Sequence, residues 1–227
     1  MLGQDGKVRF GVCWMLTAPD RSSDGNRRAY LLQPAVHRQF DPGLFDNLAS
    51  LDDEPHGTRL LRIEDAGTIP GAIYSNGHLS DSTKDRMAFW IAARRALAEA
   101  DIVFLDPDNG LDVPSVQPGQ RNSSKYVTLQ EVRSFYAAGK PVLIYQHYPR
   151  QKRSQFLEQC GDRLSEAMPD ARLWAFQTKL TVFLMAIRPE QQSTLGPAAR
   201  AVSERWDDDF IRAVDLNATY ADQSRFR

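Results

Sequence analysis

The chain has 227 residues, 42% hydrophobic and 25% charged, long enough to bury a sizeable core without disulfides or a structural metal. A formal net charge of −1 excludes the global positive field that advertises nucleic acid, while leaving room for a local basic patch. Two scattered cysteines, Cys13 and Cys160, make neither a disulfide framework nor a zinc motif. The polar start is unlike a secretory signal, and no run approaches the ~20 apolar residues of a membrane span. A cytoplasmic protein of bacterial type with no membrane partner is therefore expected.

The first apolar run, residues 8–16, is rich in β-branched and aromatic side chains and predicts a strand. A polar loop follows over 17–28 and contains Asp24-Gly25-Asn26, residues that tolerate tight reversal. Asp41-Pro42 has the form of an N-cap with proline at the first helical position. The helix it opens places Leu44, Phe45, Leu48 and Leu51 on one face. Residues 59–64 predict a second short strand ending on Glu64, and 69–74 a third. Over 83–100 the pattern is helical, with Ala88, Ile91, Ala92, Arg95 and Leu97 as the packing face and Trp90 beside it.

Residues 101–105 form a nearly all-apolar run, and a strand apolar on both faces belongs in the middle of a parallel sheet. The unit then repeats. A helix over 128–138 starts with Thr128 as cap and Glu131 in the capping-box position, and Gly139 ends it. A strand over 141–145 and a helix over 154–168 follow, the latter with Phe156, Leu157, Cys160, Leu164 and Met168 in register. Strands over 171–176 and 180–187 are separated by so few residues that they predict an antiparallel hairpin. This is an α/β chain with a doubly wound, mostly parallel, Rossmann-like sheet and a C-terminal antiparallel hairpin. We expect one domain over 1–227, with its core over about 8–188 and a tail over 189–227 carrying one helix at 196–206.

Ligands of such sheets sit beyond the carboxyl ends of the strands. That rule singles out Asp106-Pro107-Asp108-Asn109-Gly110 and, after the next strand, Gln146-His147 with Arg150 close behind. Two carboxylates as close as Asp106 and Asp108 resist ionising together unless a cation or donor relieves them. Their spacing suits a hard cation such as Mg2+ or Mn2+. It equally suits one carboxylate that accepts a hydrogen bond from a substrate amine, or a solvated turn. His147 is a candidate base, ligand or donor within reach of Asp106. Lys125 is expected to reach the same cleft, and Arg150, Lys152 and Arg153 form a short basic cluster able to grip phosphate. Gln146 and Arg150 are candidate substrate contacts. Asp24 and Glu64 are candidate cofactor contacts, Glu64 in the position of an acid that holds a ribose.

From about residue 59 to 187 the chain resembles the core of class I S-adenosylmethionine-dependent methyltransferases. Phe104-Leu105-Asp106-Pro107-Asp108-Asn109 stands where that family carries an Asp/Asn-Pro-Pro-aromatic motif, and the closing strands form a hairpin. The chain is also similar to a bacterial family of no assigned activity that carries Asp-Pro-Asp-Asn-Gly and Tyr-Gln-His. The methyltransferase resemblance implies that Asp106 accepts a hydrogen bond from a base's exocyclic amine, that Glu64 holds the ribose of S-adenosylmethionine, and that nucleic acid or a nucleotide is the partner. The sequence departs from that family in two places. Leu16-Thr17-Ala18-Pro19 replaces a Gly-x-Gly loop, and Asp108-Asn109 replaces the Pro-aromatic pair, so no ring is provided there for a base to stack on. The local residues alone support a second expectation, a metal-dependent phosphoesterase or nuclease with Asp106 and Asp108 on the cation and His147 as base or ligand. A third is a non-catalytic binding module on the same fold.

Overall fold

The computed structural model describes residues 8–18, 28–51 and 56–218, without the side chains of 56–58. In chain order its elements are β1 (Phe10–Cys13), α1 (Pro34–His37), α2 (Pro42–Ser50), α3 (His56–Asp65), β2 (Ile73–Ser75), α4 (Thr83–Ala96), β3 (Ile102–Leu105), β4 (Gly110–Leu111), β5 (Tyr126–Val127), α5 (Leu129–Ala137), β6 (Val142–His147), α6 (Arg153–Ala167), β7 (Arg172–Gln177), β8 (Thr181–Ile187), α7 (Gln192–Arg205) and β9 (Arg212–Asp215). The main sheet has seven strands in the order β2-β1-β3-β6-β8-β7-β9. β2, β1, β3 and β6 are parallel, whereas β8 is antiparallel to both β6 and β7. The fold is therefore α/β, with a mostly parallel central sheet and flanking helices.

β3 lies in the interior of the sheet because its residues are apolar on both faces, and it pairs with β1 on one side and β6 on the other. One face of the sheet presents Cys13, Val103, Leu105, Val142, Ile144, Val182 and Leu184 to the helices α4, α5 and α6. Full burial of a Leu, Ile or Phe side chain contributes roughly 1.5–3 kcal/mol, so this layer dominates the stability. The opposite face is covered differently. Ile102, Trp174, Phe176, Met185 and Ile187 pack with Leu195 and Ala199 of α7. Towards the carboxyl ends of β3 and β6, Phe104, Tyr145 and Phe183 are only half-buried; Phe183 lies 6.1 Å from Phe104 and 5.6 Å from Tyr145 between ring centroids.

Local signals hold where they are strong. Asp41 caps α2, accepting from the Leu44 N–H at 3.0 Å. Thr128 and Glu131 form the reciprocal capping box of α5, and Gly139, with φ +88°, follows its C-cap. The α6 face is as expected, with Leu157, Cys160, Leu164 and Met168 buried.

Other expectations are corrected. Residues 59–64 are helical, within α3; Arg59, Leu60, Ile63 and Glu64 are half-buried while Leu61 and Arg62 are exposed, and a face recurring at i, i+3 and i+4 is helical. Of 69–74 only the end is strand, and β1 is shorter than the apolar run, because Met15 takes φ +48° and breaks the ladder. The packing face of α4 is Arg86, Phe89, Trp90, Ala93 and Leu97, leaving Ile91 56% exposed. The larger aromatic rings, not the alanines, won the core side. α7 begins at Gln192 rather than 196, and β9 in the tail joins the sheet through β7.

Candidate active site

Asp106 leaves β3 without leaving the sheet at once. Its N–H donates to the Cys13 carbonyl at 3.0 Å, one rank beyond the strand pairing. Leu105 lies opposite Ile144. Continuing that register sets Asp106 opposite Tyr145, on the same half-covered face as Phe104, because side chains alternate along a strand. The Asp106 carboxyl is pushed up to about 7, first by burial and then by the neighbouring Asp108 charge. Among the described residues no hydrogen bond engages it.

Asp108 is exposed and has two partners. The Thr17 hydroxyl donates to its Oδ2 at 2.8 Å, and Lys125 Nζ lies 3.7 Å from the same oxygen. Lys125, expected to reach the cleft, is placed beside Asp108. Thr17 was not among the expected site residues; only the fold brings the exit of β1 to this loop.

Asn109 has its backbone held from both sides. Its N–H donates to the Lys125 carbonyl at 2.9 Å, and its carbonyl accepts from the His147 N–H at 3.2 Å and from Gln146 Nε2 at 2.9 Å. Gln146 is buried, and its Oε1 also accepts from the Leu111 N–H at 2.8 Å. Gly110 follows at φ +116°, and a Cβ there would run into the Gln146 carboxamide. Gln146 is therefore not a substrate contact; its amide is consumed in fixing the loop.

His147 ends β6 on the same face as Tyr145. The Tyr145 hydroxyl and His147 Nε2 are 3.2 Å apart, with their rings nearly perpendicular. Among the described residues His147 and Asp106 share no hydrogen bond. Both aromatic side chains line a groove of about 820 Å³, together with Tyr30, Asn109, Tyr148, Lys179 and Phe210. Its rim is basic. Arg153 lies 4.7 Å over the ring of Tyr148, a lining residue, and donates to the Lys179 carbonyl, while Arg150 and Lys152 are exposed. Tyr145 shares its strand face with His147 and was legible at a spacing of two. Tyr30, Lys179 and Phe210 arrive from distant segments and carried no local signal.

A second cavity of about 530 Å³ lies between α4 and α5. Two of its charged groups satisfy one another: Arg86 donates to both Glu131 oxygens, at 2.6 and 2.7 Å, and to the carbonyls of Ser123 and Tyr126. That network is structural.

Of the two residues expected to hold S-adenosylmethionine, Glu64 is already engaged. Glu64 stands on a helix, where one oxygen accepts from Trp14 Nε1 at 2.8 Å and the other from Asn76 Nδ2 at 3.1 Å. Asp24 lies outside the described residues. The backbone after β1 is closed by buried Met15 and by the Leu16 carbonyl, which accepts from the Leu79 N–H at 2.7 Å. The expected Mg2+ or Mn2+ ligands fare similarly. Asp108 is tied to Thr17 and Lys125, and among the described residues no three His, Cys, Asp or Glu side chains gather in one place. Among the described residues no helix is long and apolar enough to cross a membrane. Comparison with protein-family models, curated proteins and solved structures returns no match.

Proposed function

We propose that the chain is an enzyme that seats a nucleobase in the groove beside β6 and β8 and acts on its exocyclic amine through Asp106, in the manner of a methyltransferase-like group transfer. The observation that carries this reading is the Asp106 carboxyl, which directly follows the interior strand β3, is pushed up to about 7 and is unengaged among the described residues. Ionised, it accepts a hydrogen bond from an amine N–H and turns the nitrogen lone pair towards an incoming electrophile. It then draws off the proton that the nitrogen loses as the new bond forms. Asp106 follows on from the register that sets Leu105 opposite Ile144, which places it across from Tyr145, and Tyr145, Tyr30 and Phe210 line the groove. Aromatic faces hold unstacked bases with little regard to sequence, at ~1–3 kcal/mol per base.

The sheet supports the same reading, since the reversed β8 is inserted between β6 and β7 at the end where the methyltransferase resemblance places its hairpin. The misfit around Glu64 bears on the donor and not on the base. The cation reading has less support, because Asp108 is engaged by Thr17 and Lys125.

The test uses purified protein, short single-stranded oligonucleotides and labelled S-adenosylmethionine. Label should enter the base amine, and Asp106→Asn should lower turnover by about 10²–10⁴-fold, the range of general base catalysis, with oligonucleotide binding retained. Absence of both S-adenosylmethionine binding at millimolar concentration and label transfer would overturn the methyl-transfer reading.

A further inference from the structure

The geometry points to Asn109 as the residue that selects the base, by pairing its side-chain amide with an exocyclic amine and the ring nitrogen next to it. This rests on the base being seated in the groove, as proposed above.

Asn109 lines the groove. Three hydrogen bonds hold its backbone: one from its N–H to Lys125, and two to its carbonyl from His147 and Gln146. The next residue, Gly110, is wedged against Gln146 in a conformation that favours glycine. Gln146, a buried polar side chain on the central sheet, is devoted to this loop: its amide also binds the Leu111 N–H and the His147 carbonyl. All of this rigidity surrounds a residue whose own carboxamide makes no hydrogen bond among the described residues. A side chain that contributes nothing to the loop, on a backbone held this firmly, is preorganised to bind something in the groove.

A carboxamide offers one acceptor and one donor side by side. Adenine presents the complementary pair at its amine with N1 or with N7, and cytosine at its amine with N3. The amine has two N–H groups, so one can meet Asn109 Oδ1 while the other meets Asp106. Uracil places a carbonyl oxygen at that position, where an ionised Asp106 repels it. Asn109 and Asp106 together therefore favour bases that carry an amine beside a ring acceptor.

Calorimetry with adenosine and cytidine monophosphates tests this, using also the analogues in which carbon replaces N1 or N7 of adenine or N3 of cytosine. Wild type should lose about tenfold in affinity with one of these analogues, the effect of breaking one bond of a bidentate pair. Asn109→Ala, whose backbone bonds are untouched, should bind the parent nucleotide more weakly and no longer distinguish it from that analogue. Tyr30→Ala should weaken every nucleotide alike and preserve the discrimination. If Asn109→Ala keeps the full preference while Tyr30→Ala still weakens binding, the assignment to Asn109 is wrong and the groove reading stands. If wild type binds neither nucleotide at millimolar concentration, both fail. Circular dichroism of each variant separates loss of folding from loss of recognition.

Discussion

Asp106 is held in a place that disfavours its charge. Its folded pKa of about 7 lies above the ordinary 3.8. Between those values the unfolded chain releases the proton while the folded chain keeps it. Stability therefore falls as pH rises from about 4 to about 7, and then levels. The span sets a ceiling of roughly 4 kcal/mol on the effect. Asp106→Asn removes it, so the variant should melt above wild type at pH 8 and converge with it at pH 4, as thermal denaturation followed by circular dichroism will show. The same variant should lose about 10²–10⁴-fold in turnover, and wild-type kcat/KM should rise with pH through an inflection near 7 as the acceptor ionises. A stabilising substitution that lowers turnover this far marks a group kept for chemistry. Gly110 gives the complementary case. Gly110→Ala forces a side chain into φ +116° and against Gln146, and should cost about 1–3 kcal/mol, read as a lowered denaturant midpoint. Asp106 was legible in the sequence because it directly follows an apolar run. The distinction between Asn109 and Gln146 was not, since both are amides at strand ends and only the three-dimensional hydrogen bonding separates the anchored one from the idle one.

At the scale of elements, α4 and α5 are joined by one ion pair. Arg86 is 4% exposed, and its partner Glu131 also completes the α5 capping box by accepting from the Thr128 N–H at 2.8 Å. Removing one member of such a pair leaves a charge buried without its counterpart, at about 3–5 kcal/mol. Arg86→Met should lower stability by about that amount, whereas Arg86→Met combined with Glu131→Leu should recover much of it; urea unfolding of the three proteins measures the coupling. The capping box was legible because its signal spans four consecutive residues. The orientation of α4 was not. Its alanines and its aromatics offer competing faces, and the winner depends on the depth of the layer above β3, where Trp90 meets Phe135. α3 was misassigned for a related reason: six residues of mixed polarity fit either period, and the choice falls to the neighbouring surface.

At the scale of the molecule, the groove is assembled from segments far apart in the chain. Tyr30 belongs to the segment before α1, and Phe210 to the tail. These two regions are joined by stacking of Phe40 on Trp206, with centroids 4.5 Å apart, and by edge contacts of Phe40 and His37 with Phe210 at 5.1 and 5.2 Å. Aromatic pairs of this kind contribute about 0.5–1.5 kcal/mol each beyond their burial. Trp206→Ala should leave the main sheet intact while speeding hydrogen exchange over residues 28–40 and weakening nucleotide binding several-fold. An equal loss of protection throughout β3 and β6 would show instead that the tail supports the whole fold.

The sequence by itself determined the parallel centre of the sheet, the hairpin after it, the capped helices and the acidic loop at the end of β3. Each of these is written in a short run of residues whose burial or hydrogen bonding is decided by immediate neighbours. Tertiary structure alone decided which of the loop's polar groups remain available. Asp108 is engaged by Thr17 and Lys125, Gln146 is buried as a brace, Glu64 is bound to Trp14 and Asn76, and Asn109 lines an aromatic groove. Hydrogen-bond partners separated by tens of residues are chosen by the packing of the whole sheet, and no local pattern encodes that choice.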